Sequence, residues 1–227
     1  MDVIKTIWSG LDWSVLTGAL LRILPALLCI TVHETCHGLA ALALGDTTAK
    51  REGRLTLNPL RHIDPMGLLM MLVFRFGWAK PVPVNMYAFR KPKQGMAITA
   101  LAGPLSNFLL GFVFLFLYGA LYLPLCGKTA GELVLSMLYV GGYLSFALSV
   151  FNLLPIPPLD GSKILFALLP DGAYRRLMRY ERYGSLLLLA LVFFDVFSKP
   201  LAFVTERLFD LGFSAALFGL HLVKGFF

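Results

Sequence analysis

From Gly18 to Leu44 the chain is almost continuously apolar, longer than the roughly 20 residues a helix needs to cross a bilayer. The second half of this run nevertheless carries His33, Glu34, Thr35 and His37, and Arg22 sits near its start. Ionisable groups at membrane depth cost about 2.5 kcal/mol or more each when they face lipid. The cluster must therefore face protein or water. Composition points the same way: 58% of the 227 residues are apolar and 15% charged, against roughly 45–50% and 25% in soluble domains. Too little polar side chain is present to coat a water-soluble surface, so the chain reads as an all-α polytopic membrane protein.

The remaining elements follow from hydropathy and punctuation. The basic segment after Gly45, DTTAKREGRLTLNPLRHIDP, contains RLTLN, which alternates apolar and polar as a short strand does. The next apolar run, Met66 to Phe76, is too short to cross as a helix and predicts a re-entrant excursion. AKPVPVNMY predicts a second strand, with Pro81 and Pro83 confining it to an edge. Two long apolar stretches, Ala97–Leu125 and Leu133–Leu154, predict a helical hairpin. PIPPLDGSK breaks the helix, the Arg-rich stretch DGAYRRLMRYERYG follows, and Ser185–Phe197 predicts another span or most of one. Thr205–Phe227 either crosses or lies at the interface. The expectation is about four to six membrane helices with a short re-entrant β-hairpin or sheet, in a single domain over residues 1–227. Its core is 18–165 and its C-terminal helices are 183–227. The start of the chain lacks the basic region and cleavage site of a signal peptide and is expected to be retained.

The net charge is +7, but Lys and Arg fall in short clusters between apolar runs and form no stripe, so they read as cytoplasmic anchors and no nucleic-acid partner is expected. Loops 45–64, 77–95 and 171–182 hold most of them, which places those loops on the cytoplasmic side. His33 to His37 then lie in the cytoplasmic half of the first span, and Asp160, beyond the returning hairpin, lies at the same depth. The three cysteines, Cys29, Cys36 and Cys126, give no disulfide framework and read as packing residues, with metal binding the minor alternative for Cys36.

His33-Glu34-Thr35-Cys36-His37 has the HExxH spacing. Residues four apart share a helix face, so two imidazoles can hold one metal ion while Glu34 reaches its open position. The bland alternative is a cluster whose members pair with one another inside a bundle, which desolvation makes costly. A catalytic zinc needs a third protein ligand. Asp46, His221, Asp195, His62 and Asp64 are poorly placed or tied to other segments; Asp160 matches in depth, although an aspartate before Gly161 also suits a turn or helix cap. Asn107 and Asn152 are candidate donors to substrate, with helix packing the alternative for Asn107, and His62 reads as structural.

HETCH within a span, AGPLSN (Ala102 to Asn107) opening the next long span, and FNLLPIPPLDG (Phe151 to Gly161) together resemble the site-2 protease family of intramembrane zinc metalloproteases, in a compact form without a PDZ or CBS domain. The resemblance covers about Pro25 to Lys163. It implies that His33, His37 and Asp160 bind Zn2+, that Glu34 is the general base, and that Asn152 holds substrate backbone near the metal. The segment from Arg54 to Tyr87 resembles the re-entrant loops and short sheet on which such enzymes seat an extended substrate. Ser162 stands where many relatives carry a second glycine. The implied function is hydrolysis of peptide bonds in or near transmembrane segments of membrane proteins, in a multi-pass protein of a bacterial cytoplasmic membrane whose site faces the cytoplasm. An intramembrane metal or proton transporter, and a helix-binding scaffold without hydrolysis, are the alternatives from other classes.

Overall fold

A computed structural model of the chain describes residues 13–67 and 79–225. Helix α1 (Trp13–Ala43) contains the HETCH sequence and ends where Gly45 takes φ +102° and the amide of Asp46 returns to the Ala41 carbonyl, a left-handed turn that favours glycine. A single turn, α2 (Thr48–Arg51), follows. The expected hairpin is present as α3 (Pro92–Leu125) and α4 (Thr129–Asn152), joined by a short turn with Gly127 at φ +78°. α5 (Asp160–Ala167), α6 (Asp171–Phe193) and α7 (Ser198–Lys224) complete the described helices.

Among the described residues three helical stretches are long and apolar enough to cross a membrane: Leu21–Ala43, Pro92–Leu125 and Thr129–Asn152. A fourth span exists only if Tyr183–Phe193 and Ser198–Lys224, bent by 86° to each other, count as one. The stretch expected as another span or most of one, Ser185–Phe197, thus supplies only the first arm of such a broken span. The Arg-rich stretch from Asp171 is helical and continuous with the apolar one, whose portion up to Phe193 is too short to cross alone. Within Thr205–Phe227, the described residues up to Lys224 belong to α7, which packs along α3 and α4. The Gly212 α-carbon lies against Leu115 and Phe146, and that of Gly119 against the Ala216 backbone, so small residues let the helices approach closely.

α3 shows how the sequence sorts its faces. Ile98, Leu101, Leu105, Leu109, Val113, Leu117 and Leu121 are exposed along one stripe, while Thr99, Gly103 and Asn107 are buried against the other helices. Apolar outside and polar inside is the arrangement a lipid solvent demands.

The expected β-hairpin does not form among the described residues. RLTLN carries no strand, with the Thr56 amide turned back onto the Arg54 carbonyl; AKPVPVNMY runs into a 3-10 turn at Met86–Ala88, and a lone antiparallel bridge joins Ile63 to Ala79. Prolines 81 and 83 have no ladder donor, the Lys80 amide donates to the His62 carbonyl beside the bridge, and side chains take several of the other backbone groups: Arg54 Nη2 donates to the carbonyls of Lys80 and Pro81, Val82 N–H donates to Glu34, and Asn85 N–H to Asp46. Residues 68–76 of the expected re-entrant run lie outside the described residues. These contacts, with the ion pair of Lys93 and Asp171 (2.9 Å), gather the basic loops at one end of the bundle.

Candidate metal centre

On α1, His33 and His37 stand one turn apart and are both buried. Their Nε2 atoms are 3.0 Å apart. The chain returns through α4, turns in PIPPLDG and starts α5 with Asp160. Gly161 makes that start possible, because a Cβ there would lie 2.2 Å from the Leu153 carbonyl oxygen. Asp160 Oδ2 then sits 3.2 Å from His33 Nε2 and 3.1 Å from His37 Nε2. Lys163 Nζ lies 3.8 Å from its other oxygen.

These three atoms form a nearly equilateral triangle. A tetrahedral zinc with bonds of about 2.0–2.1 Å has ligand–ligand edges of about 3.3 Å, close to those observed. The hydrogen-bond chemistry also fits a cation. His37 Nδ1 lies 2.7 Å from the carbonyl of Thr99, so it carries the proton and leaves Nε2 as a lone pair. Asn107 is fully buried, with its amide nitrogen 3.3 Å from His33 Nδ1 and its Oδ1 without a partner. Exchanging the two ends of that amide gives the orphan oxygen the Nδ1–H that a metal-binding Nε2 requires. Two imidazole lone pairs and a carboxylate oxygen then face one another, an arrangement that repels unless a cation lies among them.

α3 closes one side. A Cβ on Gly103 would lie 2.4 Å from His37 Nε2 and 2.7 Å from His33 Cε1, so only glycine lets this helix meet both rings. Pro104 takes a donor out of the helix, and serines of α4 bond the carbonyls here: Ser149 to Pro104 and Ser145 to Asn107, each at 2.8 Å. Glu34, beside His33, accepts the Val82 N–H at 2.8 Å through Oε2. Thr35 donates to the Thr56 carbonyl (2.9 Å), which also meets His62 Nε2 (2.9 Å).

The structure therefore brings His33, His37 and Asp160 together as the one group of this kind among the described residues. Cys36 is outside it. Asp46 is engaged by Thr48 and Asn85, Asp64 accepts the amides of Met66 and Gly67, and Asp195 bonds Ser198. Asn107 is buried and turns to His33, as its helix-packing reading would have it. Asn152 is half-buried and its amide donates to the Leu148 carbonyl at 2.9 Å. Sequence reasoning missed the Thr99 carbonyl, the contact of Gly103 with both rings, and the hold of Val82 on Glu34. The glycine of AGPLSN was the one available signal for the second of these.

Fold and site together define a helical protein of membrane-spanning hydropathy with a buried His-His-Asp group, carried in part on an HExxH helix, that could hold a metal ion. The family model of Peptidase family M50 matches residues 119–194, a stretch that includes Asn152 and Asp160. The chain is 38% identical over 173 residues to "Putative zinc metalloprotease YwhC" of Bacillus subtilis, covering 74% of this chain and 78% of that one. It is 31% identical over 170 residues to "Putative zinc metalloprotease Rip2" of Mycolicibacterium smegmatis, covering 73% and 64%. Over 101 residues it is 37% identical to "Putative zinc metalloprotease MJ0611" of Methanocaldococcus jannaschii, covering 44% and 49%. No solved structure matches. The chain belongs to peptidase family M50, the site-2 protease family, and is an integral-membrane zinc metalloprotease.

Proposed function

We propose that the chain is a single-domain intramembrane endopeptidase that cuts in or near transmembrane segments of membrane-protein substrates, with His33, His37 and Asp160 as its zinc ligands and Glu34 as general base. The observation that carries this reading is the convergence of three buried ligand atoms from α1 and α5, distant in sequence, within 4.8 Å of one another. Depth supports it. Gly103, against the two imidazoles, lies five residues beyond Ile98, the first exposed apolar residue of the α3 stripe, or about 8 Å along a helix rising 1.5 Å per residue.

Bound zinc supplies Lewis acidity to water and to a peptide carbonyl. The chain supplies the rest. Thr99 and Asn107 fix the imidazoles by their Nδ1 atoms, Glu34 takes the proton of the attacking water and passes it to the leaving amine, and Asn152 contacts substrate backbone. The substrate helix must unwind, because helical carbonyls are already engaged. Basic loops gathered at the site end favour a cytoplasmic orientation and release of a cytoplasmic product. A transport pathway would need further polar stations through the bundle, and the described residues hold one metal-type group.

The test is zinc analysis and cleavage of single-span proteins by wild type, Glu34→Gln and Asp160→Ala in lipid. Glu34→Gln should keep zinc and lose cleavage, whereas Asp160→Ala should lose both. Undiminished cleavage by the Gln variant, or zinc-dependent ion flux in liposomes without cleavage, would reject the assignment.

A further inference from the structure

Arg54 is 6% exposed, and no carboxylate pairs with it among the described residues. A buried guanidinium is costly to leave unbonded. Here its Nη2 donates to two consecutive carbonyls, those of Lys80 at 2.6 Å and Pro81 at 3.1 Å. The next residue is Val82, whose amide donates to Glu34 Oε2 at 2.8 Å. Since Pro81 and Pro83 carry no N–H, Val82 holds the single amide donor of this three-residue stretch. Its buried side chain rests beside Gly38, one turn along α1 from Glu34, where a Cβ would lie 3.2 Å from Val82 Cγ1. Charge, carbonyl pair, amide and carboxylate thus form one continuous chain of contacts.

We infer that Arg54 is a positioning residue for Glu34, acting through the Lys80–Val82 backbone. The guanidinium draws two carbonyls toward itself and thereby sets the place of the following amide, which fixes one oxygen of the carboxylate. A free glutamate side chain samples several rotamers, and a general base must stay within hydrogen-bond reach of the proton it takes. A displacement of about 1 Å costs on the order of 100-fold in rate. The inference rests on Glu34 being the base, as proposed above.

The experiment uses the zinc-loaded chain in lipid nanodiscs, with a fluorescent single-span reporter that wild type cleaves. Arg54→Gln, Arg54→Lys, Val82→Pro, the Arg54→Gln/Val82→Pro double variant and Glu34→Gln are compared. Arg54→Gln and Val82→Pro should each keep one zinc and an unchanged KM while kcat falls about 100-fold. The double variant should be no slower than the slower single variant, because both act on one hydrogen bond. Arg54→Lys, an ammonium in place of a planar fork, should recover part of the loss. The Glu34 carboxylate band, obtained as the infrared difference from Glu34→Gln, should shift in the same direction in both single variants.

Losses that multiply in the double variant, an unmoved carboxylate band, or full kcat in Arg54→Gln would overturn the inference. If Arg54→Gln does not fold, or loses zinc, Arg54→Lys carries the test, and wild-type kcat there with an unmoved band overturns it equally. Cleavage by Glu34→Gln would instead remove the general-base reading, so the two failures are distinct.

Discussion

A methyl group on the α-carbon of Gly103 would come within 2.4 Å of His37 Nε2, so the third helix touches the very nitrogen proposed to bind zinc. Gly103→Ala must push either the helix or the imidazole aside. The expected result is a folded protein with sharply reduced zinc content and cleavage. Zinc stoichiometry after gel filtration checks this, and a fully loaded, active Ala variant would contradict the close approach.

The partner of His33 Nδ1 gives a graded prediction. Asn107→Leu removes the polar group that orients the ring, and loss of such a partner typically weakens metal binding 10- to 100-fold. Asn107→Asp keeps an acceptor and should retain more affinity than the Leu variant. Chelator competition on the purified proteins reads the order directly.

Packing of the last helix predicts a stability effect separate from chemistry. A Cβ at Gly119 would lie 1.8 Å from the Ala216 carbonyl oxygen, and backbone cannot yield as a side chain can. Gly119→Leu should destabilise the bundle by about 1–3 kcal/mol, the usual range for overpacking. Unfolding in mixed micelles measures it, and α7 should become the segment most open to protease.

Asp46 sets a pH dependence. Burial by itself would raise its pKa, but the Thr48 hydroxyl, the amides of Asn85 and Thr48, and the charge of Arg51 outweigh it and hold the carboxyl below its usual value. The ionised form is thus favoured in the folded protein. Its contribution is fully present above the ordinary aspartate range, near pH 4, and is lost as pH falls through the lowered folded value. Acid unfolding of wild type should show this loss, and Asp46→Asn should be less stable at neutral pH with a flatter acid limb.

Zinc, membrane class and the chief chemical groups could be read from residue order alone, because each depends on local facts. HETCH places two imidazoles on one helix face by periodicity, and an apolar run signals a span by length. Asp160 could be singled out because helices crossing in alternation return the chain to a shared depth. The strands expected at RLTLN and AKPVPVNMY show where such reading stops: alternation marks where a strand is possible, but Arg54, Glu34 and Asp46 take several backbone groups that a ladder would use. The single α6 helix was missed for a related reason, since hydropathy marks where apolar character begins and not where helical hydrogen bonding begins.

The sequence by itself determined the donor atoms and their solvent. An ordered string of side chains fixes charge, polarity and periodicity, and lipid leaves few ways to satisfy them. Only the tertiary structure decided which partner each group meets: the Thr99 carbonyl for His37, the Asn107 amide for His33, the Val82 amide for Glu34. A hydrogen bond depends on positions to within tenths of an ångström, and residues 62 or 74 apart acquire such positions only when helices pack.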